Sequence, residues 1–239
     1  MSAKEPVVLS WSGGKDSAMA LHELLRSDDY EVVSLLTTVS EEFRRISHHG
    51  VRESLLDQQA EAMGVPFRKL YLPSGPSGGC TNEVYEAIMI EAMLAYQRDG
   101  IRTVAFGDLF LQDLREWREA NLAKVGMRAI FPLWNRNTSE MARDVIALGF
   151  KCYLSCVEPS VGTRFAGRLY NEELLRALPP EVDKCGENGE FHSFVCAGPI
   201  FKRPIPIRIG DTVERGGRVF ADILLDIGGS PETHLTEEF

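Results

Sequence analysis

A chain of 239 residues holds one large domain or two of ordinary size. Apolar residues at 44% and charged residues at 26% sit near the globular average, which excludes a disordered chain, and no apolar run approaches the ~18 residues of a membrane helix. A formal charge of −9, from 26 basic and 35 acidic residues, disfavours a nucleic-acid partner while leaving room for a local basic patch.

The opening Met-Ser-Ala-Lys-Glu-Pro lacks the apolar stretch of a signal peptide and reads as a short tail before the first strand. Pro6-Val-Val-Leu-Ser10 is a β-type run that ends in a glycine loop. Residues 17–27 have helical periodicity, with Leu21, Leu24 and Leu25 on one face. Residues 31–38 are near-continuously apolar, as a parallel strand covered on both sides requires. A second helix is expected over 51–63 with Gly64 at its C-cap, and a third strand over 66–72. After the glycine-rich stretch 73–79 come a helix over 82–98, a strand over 103–106 and a helix over 113–125. This alternation predicts βαβ units and an open parallel sheet with helices on both faces.

The pattern changes near Leu133-Trp134. A helix over 138–148 capped by Thr138, a strand over 150–157, a short helix over 172–177 and a glycine-rich loop over 185–190 follow. Strands are expected over 204–209 and 218–227, joined by a turn-rich link with Gly210, Gly216 and Gly217. The division expected is a nucleotide-type α/β domain over 1–134 and a smaller α+β domain, binding the second substrate, over 135–239. The five cysteines, Cys80, Cys152, Cys156, Cys185 and Cys196, form no Cys-x-x-Cys pair and read as reduced thiols of a cytoplasmic protein. Cys152 and Cys156 share a face of one strand and read as small buried apolar groups.

The sharpest signal is Ser10-Trp-Ser-Gly-Gly-Lys-Asp-Ser17, set between a strand and a helix. Gly13 and Gly14 let the backbone approach phosphate oxygens. The helix beginning near Asp16 and Ser17 turns its free N–H groups and positive dipole end toward an anion. Lys15 adds a point charge, and Ser10, Ser12 and Ser17 add hydroxyls. The loop is neither Walker A nor a dinucleotide fingerprint, because its adjacent glycines directly precede the lysine. It resembles the PP-loop of the N-type ATP pyrophosphatases, which include GMP synthetase, NAD synthetase, argininosuccinate synthetase and tRNA-modifying thiolases. That resemblance implies a five-stranded HUP-like fold of the adenine nucleotide α-hydrolase type, Mg2+, and AMP plus pyrophosphate as products.

Three further segments narrow the reading. Ser47-His-His-Gly-Val-Arg52 follows the second strand, so His48 or His49 is a candidate contact to nucleotide or substrate. Phe106-Gly-Asp-Leu109 ends the fourth strand; there Gly107 permits close approach and Asp108 is a candidate to bind magnesium or orient a ligand. In Asp183-Lys-Cys-Gly-Glu-Asn-Gly-Glu-Phe-His-Ser-Phe194, two glycines bracket Glu187 and Asn188. Glu190 and His192 are two apart on an extended chain and are expected to face one ligand together.

With Pro132-Leu-Trp134, these segments are similar to the diphthine–ammonia ligase family over nearly the full chain. One departure is Asp183-Lys184, where Asp-Pro is common in the family. The resemblance implies an ATP-dependent amidation. Ser10, Ser12, Gly13, Gly14, Lys15, Asp16, Ser17, His49, Gly107 and Asp108 would hold the nucleotide, with Asp16 as magnesium ligand. Gly186, Glu187, Asn188, Gly189, Glu190 and His192 would hold the acceptor, and Lys15, Asp16, Glu190 and His192 would serve the chemistry. The acceptor carboxylate would be either a modified histidine on an elongation factor or a small molecule, and the nitrogen would come from ammonia. A tRNA-modifying enzyme sharing the loop needs a basic surface and often paired cysteines, which the charge and the cysteine spacing argue against. A non-catalytic adenine-nucleotide sensor would bind ATP and yield no AMP. A homodimer is expected from the general frequency of two-fold oligomers alone.

Overall fold

The computed structural model describes residues 3–47, 49–75 and 80–228. Strands β1 (Glu5–Ser10), β2 (Tyr30–Ser40), β3 (Phe67–Leu72), β4 (Thr103–Ala105) and β5 (Arg128–Ile130) form a parallel sheet in the order β3-β2-β1-β4-β5. Helices α1 (Lys15–Arg26) and α2 (Glu53–Met63) cover one face, and α3 (Asn82–Arg98) and α4 (Gln112–Ala123) the other. The alternation within β1 sets this up. Val7 and Leu9 pack with Leu21, Leu55 and Leu56 on the α1–α2 side. Val8 between them packs with Met93, Tyr96 and Leu122 on the α3–α4 side. The winding reverses between β1 and β4, so the carboxyl ends of these two strands flank the crevice in which open α/β sheets bind ligands.

After α5 (Thr138–Ala147) the chain builds a second, antiparallel sheet from β6 (Lys151–Val157), β7 (Phe191–Ala197), β8 (Ile207–Arg215) and β9 (Arg218–Leu225), in the order β7-β6-β9-β8. A short helix, α6 (Glu172–Ala177), lies in the long β6–β7 connection. Leu154, Phe194, Val195 and Ile223 of this sheet share one core with Met19 and Leu56, so it packs against the α1–α2 side of the parallel sheet. Cys152 and Cys156 are both buried there, and burial pushes both thiols up from the usual range.

Two local expectations are corrected, and one strand was not read from the sequence. The cap of α5 is Asn137, whose side chain accepts from the Glu140 N–H at 3.0 Å; Thr138 is the first helical residue. The link expected at Gly210 is not a turn. β8 runs through it with a bulge between Ile209 and Thr212, and only Gly216 and Gly217, at φ 57° and 73°, make the reversal. The sheet's fifth strand, β5, is three residues long and too short to show a period. Gly64 does cap α2, with φ 71° and its N–H on the Ala60 carbonyl. Among the described residues no helix is long and apolar enough to cross a membrane.

Candidate active site

β1 delivers the chain to Trp11, which is buried and donates its indole N–H to Gln59 Oε1 at 2.9 Å. Ser10 is the last residue of β1, in register with Leu36. Gly13 then takes φ +78°, a conformation that L side chains rarely adopt, and Gly14 is the N-cap of α1 with no side chain to offer. The Ser12 and Ser17 hydroxyls stand 3.2 Å apart, and the Gly14 N–H points at Ser12 Oγ from 3.3 Å. Three hydrogen-bonding groups thus converge at the start of a 12-residue helix, at the carboxyl end of β1. A Cβ on Gly14 would stand 3.0 Å from the Ser193 carbonyl and 3.4 Å from His49 Cε1, so β7 and His49 roof the loop closely.

Lys15 lies elsewhere than its motif suggests. Its side chain is 2% exposed and turns into the second half of the chain, where Nζ meets Asp16 Oδ2 at 2.9 Å and donates to the Cys185 carbonyl. The rings of Phe191 and Tyr170 lie 5.4 and 5.9 Å from it. Burial pulls its pKa down, but the charges around it, Asp16 foremost and Glu187 among them, outweigh burial, so the ammonium is held charged above its ordinary range. Asp16 Oδ1 is buried without a hydrogen-bond partner among the described residues. Burial raises the Asp16 pKa against the opposing pull of Lys15.

The β4–α4 connection closes the crevice from the other side. A Cβ on Gly107 would come within 2.9 Å of the Asp16 backbone carbon and 3.1 Å of the Ser17 nitrogen, so only glycine lets this connection lie against the start of α1. Asp108 is gripped by Arg118, with Nε at 2.7 Å and Nη2 at 3.2 Å, and the guanidinium lies 4.2 Å over the Phe106 ring. Glu187 reaches across from the second half to accept from the Leu109 N–H at 3.2 Å. Burial, reinforced by the charge of Asp16, pushes the Glu187 carboxyl up to about 8.

The 183–190 loop is internally braced. Asp183 Oδ1 accepts from the N–H groups of Cys185 and Glu187, at 2.9 and 3.2 Å. Gly186 and Gly189 sit at φ 71° and 88°. Glu190 folds back onto its own loop: Oε1 accepts from the Asp183 N–H and the Asn188 amide, both at 3.0 Å, and Oε2 from the Asn188 N–H at 2.9 Å. Asn188 itself is exposed. His192, in β7, packs instead on His49, with ring centroids 4.4 Å apart. The Glu190 carboxylate thus braces the turn that precedes β7, while the His192 ring lies against His49. His48 lies outside the described residues.

Two groups were not singled out in the sequence. Gln59 is fully buried and joins Trp11, Gly13 and Val195; its signal was a glutamine on the apolar face of α2 beside Leu55, Leu56 and Met63. Asp222 of β9 is gripped by Arg52, at 3.0 and 2.8 Å, and by Arg45 at 3.2 Å, which ties the His49 loop to the second sheet. Among the described residues no three His, Cys, Asp or Glu side chains converge as a metal cluster.

Family models place this arrangement. The diphthamide synthase N-terminal domain matches residues 5–129, and the diphthamide synthase C-terminal domain matches residues 137–223. The diphthine–ammonia ligase of Mus musculus is 24% identical over 239 residues, 89% of this chain and 86% of that protein. That of Rattus norvegicus is 26% identical over 240 residues, and that of Homo sapiens 23% over 239, each with the same coverage of 89% and 86%. With both domains matched in order around the crevice just described, the chain belongs to the diphthamide synthase family.

Proposed function

We propose that the chain is an ATP-dependent ligase that adenylates a substrate carboxylate, releases pyrophosphate, and amidates the acyl-adenylate with ammonia. The observation that carries this reading is the convergence of Ser12 Oγ, Ser17 Oγ and the Gly14 N–H at the N-terminus of α1, in the β1–β4 crevice. The relatives' name, diphthine–ammonia ligase, supplies the nitrogen donor and the acceptor class.

In this reading the loop hydroxyls, its N–H groups and the helix dipole receive the phosphates. Lys15 works from beneath. It compensates Asp16, so that an anionic nucleotide can enter beside that carboxylate. The buried Oδ1 of Asp16, with no partner among the described residues, is the oxygen that would hold Mg2+. When bound, Mg2+ supplies charge neutralisation for the departing pyrophosphate. Gly107 keeps the β4 end against the loop, and Asp108 orients it through Arg118.

The acceptor lies against the 186–192 segment. There Glu190 keeps the loop in shape and the His49–His192 pair covers the reacting groups. His192 takes the proton that ammonium must lose before its nitrogen attacks the acyl-adenylate and displaces AMP. The acceptor is a modified histidine on an elongation factor or a small-molecule carboxylate. A test follows the oxygen: with the acceptor carboxylate labelled with 18O, one label must appear in AMP. Amide formed with AMP unlabelled rules out adenylation of the carboxylate.

A further inference from the structure

Gln59 is a polar side chain with 0% exposure on a helix face otherwise occupied by Leu55, Leu56, Ala62 and Met63. An apolar residue would fill that position without the cost of desolvating an amide. Among the described residues, each bond the amide makes goes to the Ser10 loop or to the strand that roofs it. Oε1 accepts from the Trp11 indole at 2.9 Å. Nε2 donates to the Gly13 carbonyl at 3.0 Å and to the Val195 carbonyl at 2.7 Å. The Val195 N–H also donates to the Gly13 carbonyl, at 2.9 Å.

In a trans peptide the carbonyl and the following N–H point in opposite directions. Two donors pinning the Gly13 oxygen toward Gln59 and β7 therefore aim the Gly14 N–H the opposite way, toward Ser12 Oγ at 3.3 Å. The same amide occupies the space beside Gly13, where a Cβ would stand 3.0 Å from Oε1. A fully satisfied buried polar network fixes one conformation among those a glycine pair allows.

We infer that Gln59 is a positioning residue for the nucleotide, holding the Gly13–Gly14 peptide in its anion-binding orientation and locking it to β7. This rests on the reading of the loop as the ATP site. Gln59→Met keeps the volume and removes all three bonds. Binding of Mg-ATP and of inorganic pyrophosphate to the full chain is measured by titration calorimetry, beside Val145→Ala, which trims a buried side chain in α5. Both variants lose thermal stability. Gln59→Met weakens both ligands about tenfold or more, the scale of one hydrogen bond to a charged group, and raises KM for ATP more than it lowers kcat. Val145→Ala binds as wild type. Gln59→Glu sets a carboxylate against two carbonyl oxygens and binds more weakly than Gln59→Met. Wild-type affinity in Gln59→Met, or an equal loss in Val145→Ala, overturns the inference alone, whereas a wild-type chain that binds neither ligand overturns the nucleotide reading beneath it. Should Gln59→Met fail to fold, Trp11→Phe, which removes one bond from the same amide, carries the test: weaker pyrophosphate binding supports the inference, and unchanged binding overturns it.

Discussion

Lys15→Met tests the arrangement around the loop without altering its glycines. The ammonium is 2% exposed and is the cation paired with Asp16, whose other oxygen already lacks a partner among the described residues. Breaking a buried pair by removing one member costs about 3–5 kcal/mol. At about 2–4 °C per kcal/mol for a chain of this size, Tm should fall by about 6–20 °C. The stranded Asp16 carboxylate escapes the penalty by taking up a proton, so the deficit should be smaller at pH 5.5 than at pH 8. Thermal unfolding followed by circular dichroism at the two pH values measures both effects. In the double variant Lys15→Met/Asp16→Asn much of the loss should return, since the uncompensated charge is gone. A fall in Tm under about 3 °C, equal at both pH values, would refute the view that this lysine is a buried counter-charge.

Three other outcomes are expected. Gly107→Ala sets a Cβ against the backbone of Asp16 and Ser17, which cannot yield as a side-chain tip can; about 1–3 kcal/mol of overpacking should appear as a lower Tm together with weaker ATP binding. Glu187 titrates near 8 in the fold, above its ordinary value of 4.5, so from pH 5 to 8 the folded chain binds more protons than the unfolded one and stability falls as pH rises. Glu187→Gln should flatten that decline in a pH series of Tm. Glu190→Ala strips the acceptor from the N–H groups of Asp183 and Asn188, so limited proteolysis should cut within 183–190 faster than in wild type while the rest of the chain resists as before.

Much of the fold was legible because the central parallel strands are covered on both faces and carry buried apolar runs, Val7-Val-Leu9 in β1 and Leu35-Leu36 in β2. β1 and β2 announce themselves in this way, and α1 and α2 carry clear apolar faces. β5 and the true extent of β8 were hidden: the first is three residues long, and the second continues past a glycine by means of a bulge. At the site, the hexapeptide fixed the backbone but not the direction of Lys15. That direction depends on the Cys185 carbonyl, Phe191 and Tyr170, all contributed by the distant half of the chain. The same holds for Glu190: spacing on an extended chain paired it with His192, but the residue precedes β7 and its carboxylate meets nearer donors in its own loop. Gln59 carried only a faint signal, one amide in an apolar stripe.

The first measurement is the fate of ATP labelled at the α-phosphate, incubated with the protein, Mg2+ and ammonium, with and without a pool of cell proteins and metabolites. A ligase that adenylates its acceptor releases labelled AMP only when the pool supplies that acceptor, and unlabelled pyrophosphate in equal amount. Labelled ADP, or AMP formed at the same rate without the pool, would contradict cleavage coupled to an acceptor.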